Sequence, residues 1–142
     1  MGVSQISVFV ENQTGRVNRL TDILEKADIS IRGFSLADTA DFGIARFVVD
    51  KPELALAALS DAGFLVRITE LLCIELLDKP GALDHVFSVV AQADLNVEYA
   101  YSLVSTYVAL KVSDIRRAEE VLRGQPVRLV EQGELEQSVI GN

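Results

Sequence analysis

The stretch Ile6-Ser-Val-Phe-Val-Glu-Asn-Gln-Thr-Gly15 decides the fold, because the chain writes it again 66 positions later as Leu72-Cys-Ile-Glu-Leu-Leu-Asp-Lys-Pro-Gly81. The match runs on: Val17 falls on Leu83, Leu20 on Val86, Ile23 on Val89, Leu24 on Val90, Ala27-Asp28-Ile29 on Ala93-Asp94-Leu95, and Ile31 on Val97. Identities are few, but apolar class and the turn glycine keep step. Past a shorter loop in the second copy the offset falls to 63, which puts Ala55 and Leu59 on Ala118 and Leu122. A repeat of roughly 65 residues means two copies of a small domain, or two halves of one pseudo-symmetric domain. Either way it creates a seam between like surfaces, and ligands favour such seams.

Working outward, the same order of elements is legible twice. Gln5 to Val10 is an apolar strand, broken by the turn residues Asn12-Gln-Thr-Gly15. From Arg16 to Ala27 the apolar positions 17, 20, 23, 24 and 27 form one helical stripe. Ile29 to Leu36 reads as a strand with a glycine-marked irregularity at Gly33, Asp38 to Asp41 as a polar turn, and Phe42 to Val49 as a third strand. Asp50-Lys-Pro52 opens a second helix with stripe Ala55, Ala58, Leu59 and Ala62, stopped by Gly63, and Phe64 to Ile68 is a fourth strand. Copy two repeats this: strand Leu71–Leu77, helix Ala82–Ala93, strands Leu95–Leu103 and Thr106–Val112, a helix capped by Asp114, and strand Val127–Val130. Each copy is β-α-β-β-α-β, so the fold class is α+β: two ferredoxin-like modules in tandem, at 1–69 and 70–142, with antiparallel sheets and helices on one face. Phe64 to Leu77 passes from one copy into the next as two short strands, with a joint near Thr69-Glu70. In the βαββαβ order Ile29–Leu36 and Leu95–Leu103 are edge strands. Their pairing, within the chain or with a second chain, predicts a continuous eight-stranded sheet. The acidic close from Glu131 to Asn142 is expected to fray.

Composition excludes several classes. Half of the 142 residues are apolar and periodic, which rules out a disordered chain. A net charge of −8 repels a phosphate backbone, so no nucleic acid is expected as a partner. No apolar run approaches the ~20 residues of a membrane span, so no membrane is expected either. The first residues lack the basic-then-apolar pattern of a secretory signal, and Cys73 alone builds no disulfide framework, so the cytosol is the expected address.

Function on so common a fold must be sought in a site. The turn between strand one and helix one reads Val10-Glu-Asn12-Gln-Thr-Gly15-Arg-Val17 in copy one and Leu76-Leu-Asp78-Lys-Pro80-Gly81-Ala-Leu83 in copy two. Glycine lets backbone N–H groups approach a ligand, and the helix N-terminus supplies partial positive charge for an anion such as a carboxylate. Geometry alone favours a plainer reading, a helix-starting turn capped by Asn12 and Asp78.

That turn, followed by an apolar helix and by Ala27-Asp-Ile-Ser-Ile31 or Ala93-Asp-Leu-Asn-Val97, resembles the ACT domain from about Gln5 to Val130. Ser35-Leu-Ala-Asp-Thr-Ala-Asp-Phe-Gly43 is similar to a segment of stand-alone tandem members. The resemblance implies a non-catalytic, cofactor-free module that binds a free amino acid at the interface between ACT domains and signals to a partner, such as an enzyme of amino-acid metabolism. It implies a homodimer too. By resemblance to the regulatory domain of phosphoglycerate dehydrogenase, the ligand-binding residues are Asn12, Gly15, Arg16, Val17 and Ser30 in copy one. In copy two they are Asp78, Gly81, Ala82, Leu83 and Asn96. The copies differ at Asn12/Asp78, Thr14/Pro80 and Ser30/Asn96, so one competent site per chain is as consistent with the pattern as two. The alternative is a ligand-free interaction and dimerisation module.

Other residues weigh less. His85 has no companion at metal-ligand spacing and reads as solvated, and Cys73 reads as a small buried hydrophobe. Tyr99, Tyr101 and Tyr107 suit either sheet packing or an apolar pocket. No nucleophile–base pair, metal cluster or phosphate loop supports an enzyme.

Overall fold

A computed structural model describes residues 2–11, 13–38 and 42–137. Copy one consists of β1 (Val3–Glu11), α1 (Arg16–Lys26), β2 (Ile31–Asp38), β3 (Phe42–Val49), α2 (Pro52–Asp61) and the first half of β4 (Leu65–Glu75). Copy two begins in the second half of β4 and continues with α3 (Ala82–Gln92), β5 (Val97–Ser102), β6 (Tyr107–Val112), α4 (Ile115–Leu122), β7 (Arg128–Leu129) and α5 (Gln132–Leu135). Of the expected polar turn at 38–41, positions 39–41 lie outside the described residues.

The repeated Ala-Asp pair has a local cause. Asp28 and Asp94 take left-handed φ values of 60° and 59° directly after α1 and α3. Asp28 N–H reaches the Glu25 carbonyl and Ile29 N–H the Leu24 carbonyl, both at 3.0 Å. Asp94 to Ala91 (3.0 Å) and Leu95 to Val90 (3.2 Å) repeat that helix-ending pattern in copy two. Asp tolerates the left-handed region better than most side chains.

The strands form one antiparallel sheet in the order β2-β3-β1-β4-β6-β5, with β7 on the other side of β4. The expected joint at Thr69-Glu70 is absent: β4 runs through it as a single strand. Residues 65–71 pair with β1, and residues 72–75 pair with β6. The helix-side cores are separate. Ile6, Val8, Leu20, Leu24, Phe47 and Leu59 anchor one, and Leu72, Ile74, Val86, Val90, Leu110 and Leu122 the other. A third core lies on the opposite face of the sheet and joins the copies through Val3, Val48, Leu71, Cys73, Tyr107, Ala109 and Leu135. The second half of β4 is therefore buried on both faces.

Curling of the sheet around this third core brings its two end strands together. The expected ladder between them does not form within the chain. Val104 N–H, just past β5, donates to the Arg32 carbonyl at 2.7 Å, and Leu103 lies against Gly33. Gly33 sits at a register shift in β2, as the glycine suggested, and β5 shifts register between Val97 and Tyr99. A β-carbon at Gly33 would stand 2.2 Å from Leu103 Cδ2, so only glycine admits this contact.

Polar groups lock the same face. Gln5 is fully buried. Its Nε2 donates to Tyr99 Oη at 2.8 Å, and Tyr101 Oη donates to its Oε1 at 2.6 Å. The Arg46 guanidinium lies 4.0 Å from the centre of the Tyr99 ring. The tyrosines thus serve packing between the copies. Burial first, then Tyr99, pushes the Tyr101 hydroxyl well above its ordinary pKa, with Arg46 pulling the other way.

The closing segment is not frayed over residues 131–137. Glu131 and Glu134 form a reciprocal capping box at the start of α5, and Leu135 is fully buried in the third core. Gln132 accepts from Ser4 N–H at 2.8 Å, and Arg32 Nε donates to the Leu135 carbonyl at 2.8 Å. A single buried leucine worth about 1.5–3 kcal/mol offsets the entropy of ordering so short a helix only with such tethers. No helix among the described residues is long and apolar enough to cross a membrane.

Candidate functional site

The turns preceding α1 and α3 are built alike. In copy two Lys79 N–H bonds to the Leu77 carbonyl (2.9 Å), Ala82 N–H to Lys79 (3.3 Å) and His85 N–H to Gly81 (2.9 Å). Copy one repeats them as Gln13 to Glu11 (2.8 Å), Arg16 to Gln13 (3.2 Å) and Arg19 to Gly15 (3.0 Å). Gly15 and Gly81 occupy the N-cap positions at φ 85° and 87°, and neither helix has a side-chain cap. Asp78 is therefore not the cap that local sequence suggested. The cap position demands a left-handed backbone, which glycine supplies and aspartate three residues earlier does not. The Ala82 and Arg16 N–H groups expected to meet a ligand are already used within the turn. Leu83 and Asp84 N–H precede the first full helical bond of α3 and lie at its positive end.

Asp78, Gly81, Ala82 and Leu83 line one cleft of about 340 Å³. Its far wall is Ser102, Ser105, Thr106 and Tyr107 from the β5–β6 connection. The wall is tied down by Leu76 N–H donating to the Thr106 carbonyl at 3.0 Å and by Leu103 N–H donating to Tyr107 at 2.8 Å. A second cleft of about 600 Å³ shares Leu76, Leu77, Asp78 and Thr106 with it and reaches Pro126, Val127 and Arg128. Every residue of both clefts belongs to copy two. Within one chain, then, this cleft is not a seam between the copies.

Asn96 does not line the cleft. Its backbone N–H donates to Ser113 Oγ at 3.2 Å, just as Ser30 N–H donates to Asp50 Oδ1 at 2.9 Å in copy one. Each residue immediately precedes a strand, β2 or β5, and ties its start to the residue just past the neighbouring strand. Asn12 lies outside the described residues. Arg16 packs its guanidinium on Phe64, 5.1 Å from the ring centre, with its Nε enclosed and without a hydrogen-bond partner. By strand register Phe64 corresponds to Val127, so copy two carries Ala82 and Val127 where copy one carries the stacked pair. Smaller side chains leave room beside the turn of copy two. Val17 and Leu83 are both partly exposed at the helix starts.

Sequence reasoning missed the β5–β6 wall, because facing a turn 25 residues away is a tertiary matter with no local signal. Arg128, a cation at the rim, was missed as well. It is committed to Glu75 (Nε to Oε1, 2.8 Å) and to Glu134, so it offers little to an anionic ligand. The Glu131 backbone N–H first, and Arg128 second, hold the Glu134 carboxyl below its ordinary range. Cys73 is buried as expected. Desolvation, then Glu134, pushes its thiol up to about 12, against a smaller pull from Arg128, so it stays protonated. His85 faces solvent and pairs with Gln125 at 2.8 Å. Among the described residues no His, Cys, Asp or Glu cluster is arranged to hold a metal ion.

The family described as "ACT domain pair" matches residues 1–139. The chain belongs to this family. A crystal structure of protein BT0572 from Bacteroides thetaiotaomicron is similar at 33% identity and a TM-score of 0.91, over 97% of this chain and 98% of that one. The ligand-free regulatory subunit of aspartate kinase from Thermus thermophilus shares the ACT-pair fold at 19% identity and a TM-score of 0.64, over 87% and 90% of the two chains. A structure of aspartokinase alpha and beta subunits aligns at 15% identity and a TM-score of 0.60, over 84% and 87%. No curated protein matches the chain.

Proposed function

We propose that this ACT pair is a non-catalytic sensor that binds a free amino acid at the turn before α3 and passes occupancy to a partner, an enzyme of amino-acid metabolism. One observation carries the reading: Asp78, Gly81, Ala82 and Leu83 gather on a single cleft at an uncapped helix N-terminus. The ligand carboxylate takes the N–H groups of Leu83 and Asp84, with Lys79 nearby, and the ammonium takes Asp78 and carbonyls of the facing wall. Asn12, Gly15, Arg16, Val17 and Ser30 form a second, weaker site, since Arg16 fills the space that Ala82 leaves open. The shared fold of the Thermus aspartate kinase regulatory subunit supports the partner class. We take 1–69 and 70–142 as the two domains, a homodimer as the working form and the cytosol as the location.

A thermal-shift panel of the twenty amino acids tests this. A ligand at one hundred times its dissociation constant adds about 2.7 kcal/mol to stability. A flat panel favours the second reading, a ligand-free interaction module, which draws on Phe34 and Leu36 standing exposed on end strand β2.

A further inference from the structure

The face of the sheet turned away from the helices is only partly covered by copy two. Strand register sorts its copy-one half into rows that cross the strands, because paired residues share a face. Gly33, Val48, Gln5 and Thr69 form the row packed against copy two. Ser35, Arg46, Ser7 and Arg67 form the next, and Ala37, Ile44, Phe9 and Leu65 the one beyond. Glu11, paired with Phe42, marks the last. The apolar row is open: Phe9 is 41% and Leu65 68% exposed.

We infer that this face is where a second copy of the chain docks. The inference rests on the homodimer reading above and adds the surface. Charge order along the strands supports that occupant: two arginines on one side of the apolar row, Glu11 on the other. A two-fold axis lying along the row seats each strand over its own counterpart and reverses direction along it. Apolar row then meets apolar row, and Glu11 of the partner subunit falls over Ser7, between Arg46 and Arg67. Arg46 is held on Tyr99, which leaves exposed Arg67 for the ion pair. Such a patch is its own complement, the requirement of an isologous interface. It is also continuous with the third core, which already packs the same sheet face against copy two. Four strands at ~4.8 Å spacing over five residues present roughly 300 Å² a side. Together the two sides bury on the order of 600 Å², below the ~1,200 Å² of a stable specific interface, so the dimer is weak and reversible.

Sedimentation velocity on the full chain, from micromolar concentration upward, tests it. The wild type should show reversible dimerisation. Leu65→Lys, at a position exposed in the monomer, should weaken it at least about tenfold without changing the thermal midpoint. Arg67→Glu and Glu11→Arg should each weaken it, and their combination should restore affinity to within about threefold. A dimer undiminished by Leu65→Lys overturns this face and leaves the homodimer standing. A wild type that stays monomeric overturns both. Single swaps that weaken without restoration in the double variant overturn the two-fold registration.

Discussion

Gly33 and Leu103 touch where the two ends of the sheet meet, with Leu103 Cα 3.1 Å from where a Gly33 β-carbon would be. The contact couples the copies, since Gly33 belongs to β2 and Leu103 follows β5. Gly33→Ala should destabilise the fold by about 1–3 kcal/mol through overpacking. Urea unfolding of Gly33→Ala, Leu103→Ala and the double variant checks this, and the double should cost less than the sum of the singles.

Gln5 supplies the second coupling. Gln5→Leu keeps the volume but strands two tyrosine hydroxyls inside the protein, which should cost about 1–3 kcal/mol. Tyr101→Phe in the Gln5→Leu background should recover part of it by removing one stranded group. Chemical denaturation of the three proteins reads the outcome.

The α5 strap carries a pH dependence. The Glu134 carboxyl is lowered in the folded state, so its contribution is present above its unfolded pKa and lost as pH falls through the lower, folded value. Glu134→Gln, which retains the cap but not the charge on Arg128, should be less stable than wild type near neutral pH. The gap should close on the acid side of the ordinary carboxylate range. Thermal melts across that range test it, and a gap independent of pH would contradict the assignment.

Much of this was legible in the chain. The repeat placed nearly every helix and strand, because both copies solve the same burial problem with the same apolar spacing. The Ala-Asp identities are the helix-ending residues of α1 and α3. What local pattern does not carry is how the copies meet. The run from Phe64 to Leu77 looks like two strands because its charged and polar residues, Arg67, Thr69 and Glu70, mark an exposed stretch. Pairing with β1 on that stretch and with β6 beyond it holds one strand continuous. α5 went unseen for a related reason: its one buried leucine and its tethers are all long-range. At the site, the glycine turns were readable and their helix caps were not, since a left-handed N-cap displaces the usual Asn or Asp role.

Gly81 allows a mild test of backbone access. A β-carbon there would have nothing within 4 Å, so Gly81→Ala costs only the left-handed backbone, about 1 kcal/mol. The variant should fold, and it should bind an amino acid more weakly because the methyl stands at the helix end. Comparing its denaturation midpoint with its ligand-induced thermal shift separates the two effects.

Calorimetric titration decides whether the α3 turn recognises a free amino acid. The full chain, Asp78→Ala and Asn12→Ala would each be titrated with the amino acid giving the largest thermal shift. Loss of one hydrogen bond to a charged group costs about 1.5–3 kcal/mol, so Asp78→Ala should weaken binding by roughly one to two orders of magnitude. Asn12→Ala should change it less. Affinity unchanged in both variants would place the site elsewhere, and no heat from any amino acid with the full chain would contradict the sensor itself.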